Sequence, residues 1–66
     1  MSPERRAEWE AKRLLAAVEN AVHKAETGRW EEAVEALIRV ERFAIRARSA
    51  ASAAVVEEVY RGNRVG

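Results

Sequence analysis

The stretch from Trp30 to Ala54, WEEAVEALIRVERFAIRARSAASAA, decides the fold. Within it Trp30, Ala33, Leu37, Val40, Ala44, Ala47, Ala51 and Ala54 recur at spacings of three and four, the rhythm of a helical seam made to pack against other helices. Beside that line, Val34, Ile38, Ile45, Val55 and Val59 widen the apolar face on one side, and Ala36, Phe43 and Ala50 widen it on the other. One partner helix cannot cover so broad a surface. The seam therefore predicts association beyond a single hairpin.

Upstream, Ser2-Pro3-Glu4 reads as a helix start. A hydroxyl stands at the N-cap, a proline sits at the first helical position where its missing donor costs nothing, and an acid faces the positive end of the dipole. Ala7, Ala11, Leu14, Val18, Ala21 and Ala25 keep a helical spacing, with Leu15 and Val22 broadening the stripe, so the pattern predicts a helix over about 3–26. Thr27-Gly28 breaks it, and Gly28 suits a left-handed cap and a tight connection over 27–29. Glu31 and Glu32 open a second helix over about 30–61, which Gly62 and Asn63 end, leaving 62–66 as a frayed tail. A break at Ser49-Ala50-Ala51-Ser52 would create a short third helix. No glycine or proline accompanies those serines, and alanine is the strongest helix former, so the second helix reads as continuous.

The expected fold is thus all-α: one antiparallel two-helix hairpin domain over 1–66, assembling as a homo-oligomer and most simply as a dimeric four-helix bundle. At ~1.5 Å per residue the helices would be roughly 37 and 48 Å long. The second would overhang the first from about Ala54 onward, carrying Val55, Val56, Val59 and Tyr60 into water unless another chain covers them. Length points the same way, since 66 residues enclose little interior and no cysteine is present to staple it. Fourteen alanines against three leucines imply many close contacts rather than a few bulky ones.

Composition narrows function by exclusion. Ten arginines and two lysines against eleven glutamates leave a net charge of +1, which argues against bulk nucleic acid or an anionic membrane as partner. No apolar run is long enough to span a bilayer and the N-terminus lacks the apolar stretch of a signal peptide, so a cytoplasmic location is the expectation. With no Cys, no Asp, one His and serines lacking a nearby base, the chain reads as no enzyme, without a catalytic site, cofactor or metal. Glu19, His23 and Glu26 share one helical arc in a spacing that metal-binding bundles use, but their register turns them outward, where a solvated histidine is the simpler reading.

The expected oligomer interface is Trp30, Ala33, Leu37, Val40, Ala44, Ala47, Ala51, Ala54, Val55 and Val59; Glu41 and Arg48 at its margin read either as charges that fix register or partner choice between helices or as residual exposed charges. A second candidate surface is Arg39, Arg42 and Arg46, an outward stripe that could grip nucleic-acid phosphates. The alternative for that stripe is a solvated face laced with ion pairs, Glu35 preceding Arg39 by four residues in the favourable order. A third possibility is an adaptor docking a partner helix along the overhang. Trp9 lies outside the first seam and, with Trp30, suits contact with a neighbouring subunit, the alternative being stacking on a nucleobase or ligand.

Three resemblances accompany these residues. Gly28-Arg29-Trp30-Glu31-Glu32-Ala33-Val34 resembles the turn and second-helix start of a tetratricopeptide repeat, over about fifteen residues. Ala17, Asn20 and Lys24 stand where that family prefers large side chains, Ile45 stands where its closing proline belongs, and no second copy follows, so peptide binding of that type is not carried over. In size and layout the chain is similar to the dimeric hairpins of the Rop family, plasmid-encoded RNA-binding four-helix bundles, with no shared motif. The Ser2-Pro3-Glu4 opening, the Ala/Glu/Arg dominance and the minimal turn also resemble de novo designed helical proteins, from which the scarcity of leucine and the Gly62-Asn63-Arg64 tail depart.

Overall fold

The computed structural model describes residues 2–65, with side chains for residues 2–62. Two antiparallel helices, α1 (Pro3–Glu26) and α2 (Trp30–Val65), account for nearly all of it. Local chemistry sets their ends. The Arg5 N–H donates to Ser2 Oγ at 3.2 Å, and Pro3 occupies the first turn, as the opening residues predict. At the other end of α1 the Gly28 N–H donates to the Ala25 carbonyl at 3.1 Å and the Arg29 N–H to the Lys24 carbonyl at 2.9 Å, the paired bonds of a Schellman cap. Gly28 sits at φ +73°, a conformation open to glycine at no steric cost. Thr27 Oγ1 adds a bond to the His23 carbonyl at 2.9 Å, so the carbonyls of His23, Lys24 and Ala25 all accept hydrogen bonds at this end.

No break occurs at Ser49–Ser52, and α2 runs through them as one helix. It also continues past Arg61 to Val65, one turn beyond the end that Gly62 and Asn63 predict. Gly62 does not take a positive φ, and a glycine inside a helix costs only about 1 kcal/mol, too little to end one. Of the predicted tail, Gly66 lies outside the described residues.

The hairpin measures 55 × 16 × 13 Å, its long axis set by α2. Because α1 has 24 residues and α2 has 36, their pairing stops short: among the residues whose side chains are described, Pro3 and Ala54 are the last half-buried positions at the open end. Val55, Val56, Val59 and Tyr60 beyond them are exposed, as the length mismatch predicts. Across that end Arg61 Nη2 donates to Glu4 Oε1 at 3.0 Å.

The seam between the helices is made of small side chains. Ala21, Ala33 and Ala36 are its buried apolar residues, flanked by half-buried Ala7, Leu14, Ala17, Val40, Phe43 and Ala47. This register corrects the expected one in both helices. Ala11 and Val18 of α1, and Trp30, Leu37 and Ala51 of α2, stand exposed; Ala17, Ala36, Phe43 and Ala50 take the inward places instead. The physical reason is closeness. A line of alanines lets two backbones approach until many atoms touch, whereas Leu37 or Trp30 would hold them apart.

Candidate association surface

Of the large apolar side chains described, only Leu14, Val40 and Phe43 are even half-buried; the other thirteen are exposed. They are not scattered. On α1, Ala11, Leu15, Val18 and Val22 follow one another at four, three and four residues, about a quarter-turn round from the seam. On α2 the same offset holds Trp30, Leu37 and Val55, and Val34, Ile38, Ile45 and Val59 lie further round.

Antiparallel helices turn in opposite senses when viewed along one axis. Equal offsets from both seams therefore bring the two rows out on the same side of the hairpin. The opposite side carries most of the charge that crosses the seam: a depression floored by Ala17, Ala36 and Phe43 is bordered by Arg13, Asn20 and Arg39, and Lys24 pairs with Glu32 across the helices at 3.3 Å. The hairpin is therefore two-faced, with one apolar broad side and one charged.

The amount of uncovered surface is telling. The chain exposes 5430 Å², whereas a compact monomer of this mass exposes roughly 4,200 Å². The excess, on the order of 1,000 Å², is comparable with the ~800 Å² each partner contributes to a stable interface. Leu15 at 58%, Leu37 at 50% and Trp30 at 66% exposure supply side chains of the kind that fill interface cores.

The structure thus divides the expected interface residues between two surfaces. Ala33, Val40, Ala44, Ala47 and Ala54 lie buried or half-buried in the hairpin's own seam; Trp30, Leu37, Ala51, Val55 and Val59 are exposed. Glu41 and Arg48 stand inside the exposed stripe of α2 rather than at a margin, and neither has an ion-pair partner among the described residues.

Arg39, Arg42 and Arg46 line a shallow depression around Phe43 on the charged side. The expected Glu35–Arg39 pair is not formed, and among the described residues no carboxylate stands within ion-pair distance of any of the three. Arg46 instead lies 5.9 Å from the Phe43 ring centroid. His23, Glu19 and Glu26 all face outward and exposed, and among the described residues no group of three acidic or histidine side chains is placed to hold a metal ion. No described helix is long and apolar enough to cross a membrane.

Two residues escaped the sequence reading. Arg13 spans the helices, its guanidinium 4.7 Å from the Trp9 centroid and 4.8 Å from that of Phe43. Glu10 is 4% exposed in the seam, and its Oε2 has no hydrogen-bond partner. The one signal for its place is the three-and-four spacing with Ala7, Leu14 and Ala17, a line interrupted by this charged residue. Comparison of the chain with protein-family models, curated proteins and solved structures finds no match.

Proposed function

We propose that the protein is a self-assembling helical hairpin whose work is to form a homo-oligomeric bundle, most simply a twofold four-helix one, through its apolar broad side. The observation that carries this reading is the inversion of its interior: alanines fill the hairpin's seam while Leu15, Val18, Val22, Trp30 and Leu37 stand in water on one face. Contiguous apolar surface of that extent marks an interaction site, and covering it would supply the stability that three buried alanines cannot. Folding and association then form one equilibrium. Sedimentation equilibrium at about 10 µM should return a mass of at least two chains, with a melting temperature that rises with protein concentration. A folded monomer melting independently of concentration overturns the reading.

The arginine side favours a second, compatible reading as a nucleic-acid contact. Its support is that Arg39, Arg42 and Arg46 form no ion pair among the described residues and surround an aromatic ring, the pairing of cations and a stacking surface that single strands use. Retardation of a single-stranded oligonucleotide at low salt, lost steeply as salt rises and lost on Arg39→Gln with Arg42→Gln, is the expected result. No retardation at low salt ends it.

A further inference from the structure

Resting on self-association through the apolar side, a more specific arrangement follows from how that surface is distributed around each helix. Beyond its seam the continuous apolar row of α1 is confined to the adjacent quarter-turn, through Ala11, Leu15, Val18 and Val22, while on the other flank Trp9 lies under the Arg13 guanidinium and Ala16 stands alone. On α2 the apolar arc continues past that quarter to the far side, through Val34, Val59, Ile45 and Ile38. A helix meeting one neighbour besides its hairpin mate needs the narrower arc, and a helix meeting two needs the wider. That makes α2 the central helix of a four-helix assembly and α1 the outer one, with two copies of α2 in contact across the middle.

Charge then sets direction and register. Along the α2 stripe Trp30, Val34, Leu37, Glu41, Ile45, Arg48, Ser52, Val55 and Val59, the only charges are Glu41 and Arg48, both exposed and seven residues apart on one line. Parallel copies in register would set like charges side by side. Antiparallel copies related by a twofold axis passing between positions 44 and 45 bring each Glu41 opposite the partner's Arg48, so both pairs are satisfied by one operation. The same axis sets large against small, with Leu37 opposite the partner's Ser52. It also lays the overhanging Val55 and Val59 against the partner's Val34 and Trp30, beside the partner's Val22, where the second hairpin has exposed apolar surface to cover them.

We propose that a second copy of this chain occupies the apolar side with α2 packed antiparallel on α2 about a twofold axis between positions 44 and 45, pairing Glu41 with Arg48 of the other copy in both directions. A charge exchange tests it, read by sedimentation equilibrium and native mass spectrometry. Glu41→Arg and Arg48→Glu should each weaken self-association about tenfold or more, because each sets two like pairs at the interface. The two variants mixed should form heterodimers above the statistical share, and the double variant Glu41→Arg/Arg48→Glu should self-associate as the parent does. Should either single variant be unfolded alone, recovery of helical circular dichroism on mixing reports the same pairing. A parent dimer that tolerates both single exchanges, or mixed variants showing no preference for each other, overturns this register alone. A monomeric parent overturns self-association itself, and a mass of three chains or more overturns the twofold arrangement.

Discussion

Arg13 of α1 holds its guanidinium 4.8 Å from the ring centroid of Phe43 on α2, so the one aromatic ring half-buried in the hairpin is capped by a cation from the opposite helix. The same guanidinium lies over Trp9, which is 46% exposed. Cation–ring contacts at partly exposed sites contribute about 0.5–1 kcal/mol, and the arginine stem adds apolar cover to the seam. Arg13→Gln should lower the melting temperature by about 3–8 °C at fixed protein concentration, read by circular dichroism. An unchanged melt would mean the contact contributes nothing.

Glu10 sets up the opposite expectation. It lines a depression with Arg6, Arg46 and Ser49, yet its buried Oε2 is unpartnered, so the folded protein bears a desolvation cost that an apolar side chain of similar length avoids. Glu10→Met should stabilise the fold by about 1–3 kcal/mol in chemical denaturation. Equal or lower stability would show that the carboxylate finds partners in solution.

Ala33 and Leu37 are one helical turn apart and answer to different surfaces, the first 1% exposed in the seam and the second 50% exposed on the apolar side. Ala33→Leu should cost about 1–3 kcal/mol by overpacking the line where the helices approach most closely, a loss seen in thermal melts at any protein concentration. Leu37→Glu should instead lower the mass measured by sedimentation, because it places an unpaired charge on the surface through which copies meet. If Leu37→Glu assembled like the parent, the apolar side would have no part in assembly.

Gly28 makes a conformational prediction free of packing. A Cβ added there meets nothing within 4 Å, so the whole cost of Gly28→Ala comes from holding a side-chain-bearing residue at φ +73°. About 1 kcal/mol of destabilisation is expected, with Gly28→Asn losing less because asparagine tolerates that region better. Chemical denaturation of the two variants beside the parent measures both.

Much of this was already written in short-range chemistry. Ser2, Pro3 and Gly28 mark helix ends through bonds and dihedrals made within four or five residues, and so both ends of α1 and the connection could be read directly. The alanines at 50 and 51 carried α2 through the serines for the same reason, and the length mismatch alone foretold the overhang. Glycine at 62 misled because its helix penalty is small and nothing after it compels a turn.

The sequence by itself determined that there are two helices, where they turn, and that their apolar arcs are wider than a hairpin can cover. Only the tertiary structure decided which arc faces inward. Two lines one residue apart run the length of α2, one through Ala33, Ala36, Val40, Phe43 and Ala47, small except at Phe43, and one through Trp30, Leu37, Glu41 and Ile45, and both have helical period. Periodicity cannot rank them, because the ranking depends on how closely a second backbone approaches. Alanine permits the closest approach, so the small line went inside, Glu10 was carried in with its partners, and the larger side chains were left facing outward.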